Sequence, residues 1–488
     1  MSAPAAGHSA APQAIASSGA LPRERIERVD AWGMSQHAVS YVYRPSTVEG
    51  ARAVHDLARS AALPVGLRGA GCSYGDAALI SEGIALDLSR MNRILEWNPD
   101  TGLVRAEAGV TIGQLWRHVI GDGWWPPVVP GTMHPTLGGA LGMNIHGKNN
   151  YQAGTLGEHV VNVDLLLPDG ALRRCSHEQD ADLFHAVIGG FGVLGCLVSI
   201  ALQMKRVYSG LLRVEPVVVP RLHDFFEEFE HRLAAADYLV GWVDCFARGN
   251  ALGRGQIHHA GYLPAGEDPC PTQTLRAEHQ DLPGMLYGVV PRSMVPLLMK
   301  PMVRPSGVRL VNWAKYRSSV RRDRCVHYEP HARFAFLLDY VPEWKRAYGP
   351  RGLVQYQSFI PKAAAEEAFR GQIALTQARG LVPYLGVLKR HRPDPFLMTH
   401  SVDGYSLALD FHVTRRNLGR LRALTADLDR IVMEAGGRHY LAKDSLMSEA
   451  AAAALRSEER TRRFLDLKRQ IDPEGLLQTD LYRRLFAT

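Results

Sequence analysis

Apolar residues recur at helical spacing near the start of the chain, between residues 46 and 62. Ser46 opens this stretch with the Ser-x-x-Glu pattern of a capping box, so the sequence predicts a helix with Ser46 as its N-cap. A second amphipathic run predicts a helix that begins after Thr111, another hydroxyl N-cap, and ends at Gly121 or Gly123.

Short apolar or alternating runs between the helices predict strands. These runs are residues 64–68, 84–88, 103–109, 160–170, 196–202, 238–247, 253–263 and 353–361. Helices and strands do not follow the regular βαβ order of a doubly wound sheet, so the pattern favours an α+β fold. Near the end of the chain, residues 448–470 predict one strongly helical run.

Composition and charge narrow the class of protein. The 488 residues are 46% hydrophobic and 22% charged, as in ordinary globular chains. A net charge of +7 suits an anionic ligand, an anionic membrane surface or nucleic acid. The lysines and arginines are dispersed and no nucleic-acid-binding motif is found, so no nucleic-acid partner is expected.

Cysteine and histidine spacing argues against a metal centre. The six cysteines lie far apart without a C-x-x-C pair, and His258, His259 and His391 lack metal-ligand spacing, so they are interpreted as structural. Residues 1–22 are rich in Ala, Ser and Pro, which predicts a disordered tail rather than a signal peptide. No run of ~20 apolar residues predicts a transmembrane helix, and a cytoplasmic location is expected.

Three glycine-rich tracts could hold a nucleotide-like ligand. Residues 68–76 follow a predicted strand, where backbone N–H groups can cradle phosphate. Residues 190–195 read G-x-G-x-x-G, but a helix precedes them and a strand follows, the reverse of a dinucleotide fingerprint. Residues 142–148 read G-x-x-x-x-G-K, but Asn149 replaces the Mg²⁺-binding hydroxyl. A nucleotide-triphosphate switch therefore stays only as an alternative.

The order of these tracts resembles a known family. RGAGCSYGDAAL (68–79) and PGTMHPTLGGALGMNIHGKN (130–149) are similar to FAD-binding domains of the vanillyl-alcohol-oxidase, or PCMH-type, superfamily. Within it, the HGKN segment, YLAKDS (440–445) and IDPEGLLQTDLYRRL (471–485) resemble the decaprenylphosphoryl-β-D-ribose 2'-oxidase family. The resemblance extends over about residues 30–488.

The resemblance implies a two-domain flavoprotein with a PCMH-type FAD-binding fold. Residues 23–208 would form the FAD-binding domain, and residues 209–425 a sheet-based substrate, or cap, domain over the flavin. Residues 426–488 would return to the FAD-binding domain.

The resemblance also assigns site residues. The implied cofactor contacts are Arg68, Gly69, Ala70, Gly71, Cys72, Ser73, Tyr74, Gly75, Gly131, Thr132, Gly138, Gly139, Asn144, Ile145, His146, Gly147, Val198 and Lys443. The implied substrate contacts are Lys148, Gln357 and Lys389, and the implied catalytic residues are Lys443, His146 and Tyr74. A cation at Lys443 would stabilise reduced flavin, and Lys443 and His146 are both candidates to take the hydroxyl proton.

Two positions depart from the family pattern. Many superfamily members carry, at the position of Cys72, a His that is bonded to FAD, so FAD is expected to be non-covalent here. Ala408 replaces a family cysteine, so the substrate pocket is expected to differ at that point.

The resemblance implies an FAD-dependent oxidoreductase that oxidises a CH–OH group by hydride transfer to flavin. The substrate would be a secondary hydroxyl of a sugar or a polyprenyl-phosphate sugar, with the electron acceptor open. An alditol or lactone oxidase, a flavin-dependent reductase of an isoprenoid or sterol-like double bond, and a non-catalytic scaffold remain alternatives. The apolar and basic residues 282–309 suggest peripheral contact with an anionic membrane at its inner face or a segment that admits a prenyl tail, with an ordinary core insertion as the alternative.

Overall fold

The structure is a computed structural model that describes residues 21–286 and 290–487. The predicted tail, residues 1–22, lies outside the described residues except for its last two positions. The strands are β1 (Ile26–Asp30), β2 (His37–Tyr43), β3 (Val65–Arg68), β4 (Ile84–Asp87), β5 (Ile94–Asn98), β6 (Leu103–Glu107), β7 (Trp124–Trp125), β8 (Val160–Leu166), β9 (Leu172–Ser176), β10 (Cys196–Gln203), β11 (Lys205–Arg206), β12 (Leu211–Val219), β13 (Tyr238–Val243), β14 (Gly255–Tyr262), β15 (Met285–Leu286), β16 (Val290–Pro291), β17 (His327–Pro330), β18 (Leu353–Pro361), β19 (Leu385–His391), β20 (Gly404–His412) and β21 (Arg438–His439).

The helices are distributed along the whole described chain. They are α1 (Val48–Ser60), α2 (Ile112–Val119), α3 (Leu137–Gly142), α4 (Asn150–Ala153), α5 (Ala181–Val187), α6 (Leu222–Arg232), α7 (Pro271–Thr274), α8 (Ala277–Gln280), α9 (Val295–Met299), α10 (Pro305–Arg321), α11 (His331–Ala335), α12 (Lys362–Ala378), α13 (Leu418–Glu434), α14 (Glu449–Ser457), α15 (Glu459–Ile471) and α16 (Asp480–Leu485). Helices and sheets of both pairing types are present, which confirms the predicted α+β class.

The N-terminal part of the chain builds two sheets. One has the order β1-β2-β4-β3, with β4 parallel to both of its neighbours. The other has the order β5-β6-β10-β8-β9 and is antiparallel throughout. Trp116 of α2 and Phe184 of α5 are buried in a common apolar core with Val163 of β8, so these helices pack on the second sheet.

A larger antiparallel sheet follows, with the order β17-β12-β14-β13-β19-β20-β18-β21. Side chains alternate between the two faces of a strand. Leu239, Leu388 and Leu407 point to one face, where they share an apolar core with helices α6, α12 and α13. Gln357 and Lys389 point to the opposite face, which is one wall of a cavity.

The C-terminal segment returns to strand β3. The Leu476 carbonyl accepts a hydrogen bond from the Val65 N–H at 2.7 Å, and the Gln478 N–H donates to the Val65 carbonyl at 2.9 Å. Arg484 of α16 donates to Asp76 at 2.7 Å and to Asp444 at 2.8 Å. The loop after β3 is therefore held in place by residues near the end of the described chain.

Three local predictions have different outcomes. Thr111 caps α2 in a full capping box, and Gly123 ends that helical stretch with a φ of +78°, both as predicted. The prediction of Ser46 as the N-cap of α1 is wrong, because the Thr47 side chain accepts from the Gly50 N–H instead. The run 448–470 is not one helix, because Glu458 adopts an extended backbone and separates α14 from α15.

Candidate active site

A cavity of about 480 Å³ lies between the N-terminal sheets and the polar face of the eight-stranded sheet. Its wall combines the loop after β3, residues 130–148, the strands β13, β18, β19 and β20, and residues 440–443. The cavity therefore brings together segments that are more than 300 residues apart in the sequence.

The loop after β3 presents unpaired backbone donors. Among the hydrogen bonds of the described residues, none has the N–H of residues 69–73 as its donor. A Cβ added at Gly69 would lie 2.1 Å from the Thr136 hydroxyl, and Gly71 has a φ of +64° that favours glycine. The loop thus follows a close path along the wall with several N–H groups free to bind an anion.

The turn before His146 is fixed by a buried amide. Asn144 has no solvent exposure and a φ of +41°. Its amide donates to the Thr155 hydroxyl at 3.0 Å and accepts from the Gly157 N–H at 3.0 Å. These bonds fix a strained backbone position, so that Ile145 and His146 lie at the cavity wall.

His146 has one paired and one unpaired ring nitrogen. The Gln357 amide nitrogen lies 3.1 Å from His146 Nε2, so Nε2 is the acceptor and Nδ1 carries the proton. Nδ1 is buried without a partner. Burial and the neighbouring Lys389 and His391 hold the pKa of His146 well below its usual range. The ring is therefore neutral, and its Nδ1–H is available as a donor to a group in the cavity.

Lys443 places an amine at the junction of two wall segments. Its Nζ lies 3.8 Å from the centre of the Tyr74 ring, and the Tyr74 N–H donates to the Ala442 carbonyl at 2.9 Å. Burial lowers the pKa of Lys443 to about 8, although the nearby Asp410 opposes the shift. Burial also raises the pKa of the Tyr74 phenol well above its usual range, so the phenol stays protonated.

The sheet face and the segment before α4 add polar side chains to the cavity. Burial and the amine of Lys443 lower the pKa of Lys389 to about 7. Lys148 donates to the Phe334 carbonyl and lies 4.3 Å from the centre of its ring, and burial lowers its pKa to about 7. Gln357, Lys389 and Lys148 therefore line the same cavity as Lys443.

Most predicted site residues lie together at this cavity. Those on its wall are Arg68, Gly69, Ala70, Gly71, Cys72, Ser73, Tyr74, Gly131, Thr132, Gly138, Gly139, Ile145, His146, Lys148, Gln357, Lys389 and Lys443. The cavity lining does not include Gly75, Asn144, Gly147 or Val198. A Cβ at Gly75 would lie 1.9 Å from the Asp444 carbonyl, so this glycine permits a close backbone contact.

Some residues on the wall carried no recognisable motif. Trp242, Lys315 and Gln355 line the cavity, and so does His258, which the histidine spacing indicates only as a structural residue. Gln355 lies two residues before Gln357 on β18, so the period-two pattern of a strand could have found it. Trp242 and Lys315 lie in segments that the glycine motifs do not reach.

The P-loop alternative is wrong. Gly142 ends the short helix α3, whereas a P-loop must follow a strand. The Lys148 amine donates to the Phe334 carbonyl, whereas the lysine of a P-loop reaches the phosphates that the loop N–H groups hold. Residues 190–195 lie between α5 and β10, which confirms that they do not form a Rossmann turn.

The described part of the chain shows neither a metal-ligand cluster nor a membrane-spanning helix. There, no group of three or more His, Cys, Asp or Glu side chains is arranged to hold a metal ion. No helix in that part is both long and apolar enough to cross a bilayer.

Comparison with known proteins identifies the family. The sequence model of a family described as "FAD binding domain" matches residues 39–176. Decaprenylphosphoryl-beta-D-ribose oxidase of Mycolicibacterium smegmatis is 31% identical over 470 residues, which are 94% of this chain and 97% of that enzyme. The chain belongs to the PCMH-type FAD-dependent oxidoreductases.

Two further relatives match a shorter part of this FAD-dependent oxidoreductase. L-gulonolactone oxidase of Mus musculus is 30% identical over 161 residues, 33% of this chain and 36% of the relative. D-lactate dehydrogenase of Archaeoglobus fulgidus is 28% identical over 169 residues, 33% of this chain and 38% of the relative.

FAD is therefore the cofactor of this flavoprotein. The unpaired N–H groups of residues 69–73 have the chemistry that a diphosphate requires, and the unpartnered Nδ1–H of His146 is a donor suited to a polar ring. The residues present thus fit a flavin dinucleotide.

Proposed function

We propose that this oxidoreductase removes hydrogen from a CH–OH group, a secondary hydroxyl of a sugar or of a polyprenyl-phosphate sugar. The observation that carries this proposal is the Lys443 amine, whose pKa is lowered to about 8 and which lies in the cavity with the free N–H groups of residues 69–73. A general base works best with a pKa near the working pH. The match to the M. smegmatis oxidase includes both walls of the cavity, which supports a related substrate.

Each wall of the cavity has a separate proposed role. Residues 23–208 and 426–488 would hold FAD, with its diphosphate on the N–H groups of residues 69–73. Gly138, Gly139, Ile145 and His146 would line the flavin. Residues 209–425 would supply the sheet face that covers the substrate.

FAD would be bound without a covalent link. Burial raises the pKa of the Cys72 thiol to about 12, so almost no thiolate is present at neutral pH. Because the thiolate is the nucleophilic form of cysteine, formation of a thioether at this position is disfavoured.

Proton transfer is assigned to Lys443. When bound, FAD supplies the acceptor for the hydride that leaves the alcohol carbon. The unprotonated amine of Lys443 takes the hydroxyl proton, and the resulting ammonium group then stabilises negative charge nearby. His146 is the weaker candidate, because its Nε2 already accepts from Gln357 and its pKa is well below the usual range. It serves as a donor that orients a neighbouring group.

Gln357, Lys389 and Lys148 would position the substrate. Their polar atoms lie on the cavity wall that faces Lys443, and hydroxyl or phosphate oxygens are their natural partners. Ala408 lies on the same wall and leaves more room than a larger side chain would. The pocket is thus polar toward Lys443 and Lys389, and at Ala408 it presents only a methyl group.

The test is anaerobic bleaching of the flavin absorbance by a panel of sugars, sugar phosphates, alditols, lactones and prenyl alcohols. We expect bleaching by sugars or sugar phosphates that carry a free secondary hydroxyl. Bleaching by alditols or lactones alone would favour the alternative that the L-gulonolactone oxidase match suggests. Reoxidation of chemically reduced enzyme by an isoprenoid double bond would favour a reductase instead. No bleaching by any compound would leave the scaffold alternative.

We also propose contact between residues 282–309 and an anionic bilayer. Leu297 and Leu298 are 69% and 54% exposed, and Lys300 and Arg304 are exposed beside them. Leucines that enter the headgroup region next to basic side chains are typical of proteins that rest on anionic lipid. Val289 of this segment lies outside the described residues.

A further inference from the structure

The lining of the cavity has an excess of positive charge. Its described lining residues include the cations Arg68, Lys148, Lys315, Lys389 and Lys443, and they include no aspartate or glutamate. The FAD diphosphate supplies two negative charges, and Arg68 already donates to the Ala78 and Asp30 carbonyls. Cations that share a cavity without a nearby carboxylate on its wall repel one another, so an anionic substrate group would complement those that remain.

Helix α10 brings one of these cations to the sheet. The buried Asn312 amide donates to Asp244 at 3.1 Å, and the buried Ser319 hydroxyl donates to Gln256 at 2.9 Å. Lys315 lies about one helical turn from each of these anchors, so it belongs to the same face of α10. Two polar bonds therefore hold α10 with Lys315 directed at the sheet.

Lys315 has an aromatic neighbour but no acidic partner. Its Nζ lies 4.1 Å from the centre of the Trp242 ring. Among the ion pairs of the described residues, none includes Lys315. Desolvation at the cavity wall lowers the pKa of Lys315 to about 8, so most of the amine stays protonated at neutral pH. The charge is thus present, open to the cavity and uncompensated.

Two further donors lie nearby, His258 on strand β14 and Lys148 in the segment before α4. Val240 of β13 pairs with His258 of β14, and Trp242 lies two residues further along the same face of β13. The Lys148 carbonyl accepts from the Leu239 N–H at 3.0 Å, which holds the Lys148 backbone beside β13. Burial together with the charges of Lys315 and Lys148 lowers the pKa of His258 to about 3, so its ring is a neutral donor.

We propose that Lys315, Lys148 and His258, with Trp242 as their apolar floor, form a subsite for a phosphate group of the substrate. This inference rests on the proposed function, because it assigns one part of the substrate to one part of that cavity. It makes Lys315 a specificity-determining residue that favours phosphorylated over unphosphorylated sugars. The phosphate could belong to a free sugar phosphate or to a prenyl-linked one, and the chemistry at this subsite is the same.

Binding to the FAD-loaded enzyme tests the subsite without turnover. Calorimetric titrations at constant ionic strength would use inorganic phosphate and farnesyl phosphate as probes. We expect Lys315→Met to weaken phosphate binding about tenfold, the loss of one charge-assisted hydrogen bond, and Lys315→Arg to recover most of it. The matched control is Arg317→Met, which removes an exposed cation from the same helix away from the anchored face. A preference for farnesyl phosphate over inorganic phosphate that survives in Lys315→Met would indicate a lipid-linked source.

Each outcome decides the proposal. No phosphate binding by the wild type, an unchanged dissociation constant in Lys315→Met, or an equal loss in Arg317→Met would overturn it. Flavin absorbance reports whether each variant is folded, and Lys315→Gln replaces Lys315→Met if the latter loses FAD. In kinetics, Lys315→Met should raise KM for sugar phosphates but not for sugars. If no alcohol bleaches the flavin while Lys315-dependent phosphate binding persists, the proposed function fails and the subsite stands.

Discussion

The Lys443 amine lies 3.8 Å from the centre of the Tyr74 ring, at the point where the C-terminal segment meets the loop after β3. The hydrogen bond from the Tyr74 N–H to the Ala442 carbonyl fixes this approach. The face of the Tyr74 ring holds the amine by a cation–π contact, while burial lowers the pKa of Lys443 to about 8. We therefore propose that Tyr74 holds Lys443 in position rather than exchanging its own proton.

Replacement of Lys443 should stop chemistry without releasing the cofactor. We expect Lys443→Ala to slow anaerobic flavin reduction by about 10²–10⁴-fold, the usual contribution of a general base. Stopped-flow absorbance of the flavin measures this rate. Lys345→Ala is the matched control, because the Lys345 amine also lies over an aromatic ring, 3.9 Å from Trp32, but does not line this cavity. Equal rates in Lys443→Ala and the wild type would remove Lys443 from the mechanism.

The rate of flavin reduction should depend on pH through Lys443. Its pKa is lowered to about 8, and the base form is the unprotonated amine. The rate should therefore rise with pH up to about 8 and level off above it, because the ammonium form cannot accept a proton. The same rising limb should be absent in Lys443→Ala. A wild-type profile that is flat between pH 6 and 9 would contradict the assignment.

The path of the loop after β3 should be sensitive to one added carbon. Gly69→Ala would place a Cβ 2.1 Å from the Thr136 hydroxyl, so the loop must shift and its N–H groups lose alignment. We expect FAD affinity to fall roughly tenfold or more, in line with the cost of overpacking. Fluorescence titration of apoprotein with FAD gives the dissociation constant. Gly419→Ala has open space around its Cβ and should bind FAD like the wild type.

The flavin should leave the protein on denaturation. Because burial raises the pKa of the Cys72 thiol to about 12, we expect no thioether bond. Acid precipitation should leave the yellow colour in the supernatant, and Cys72→Ser should bind the same amount of FAD. Colour retained in the washed pellet of the wild type, but not of Cys72→Ser, would show a covalent link instead.

Binding to anionic vesicles should depend on the exposed leucines of α9. We expect Leu297→Asp together with Leu298→Asp to reduce sedimentation with phosphatidylserine vesicles by about tenfold, since two apolar side chains no longer enter the lipid. Val39→Asp is the control, because Val39 is 54% exposed on β2, outside this segment. An equal loss of binding in the Val39→Asp control, or no binding of the wild type, would refute the contact.

The sequence alone predicted the start of a helix correctly where a single capping signal was present. The capping box at Thr111 decides where α2 begins, because no competing hydroxyl residue is adjacent. At α1, two neighbouring hydroxyl residues compete, and Thr47 rather than Ser46 meets the Gly50 N–H. Glu458 interrupts the last helical run although no proline or glycine marks the break, so tertiary packing overrides helix propensity there.

Site residues within a recognisable motif could be predicted from the sequence. Site residues that only the folded chain brings to the cavity could not. The loop containing Gly69 and the segment containing Lys443 are recognisable as sequence, and they meet at the cavity. Lys315 is 73 positions from Trp242 in the chain, and its helix shows no apolar stripe that would predict which face meets the sheet. The anchors at Asn312 and Ser319 and the contact with Trp242 show that Lys315 lies on the side of α10 that faces the sheet.

Arg484 of α16 forms ion pairs with Asp76 and Asp444, and residues 476–478 form hydrogen bonds with Val65. The loop after β3 is therefore held by α16 and by the segment just before it. During translation these contacts cannot form until the chain through α16 has emerged from the ribosome. We therefore expect flavin loading to be a late step in biogenesis, and nascent chains stalled before α16 to remain apoprotein.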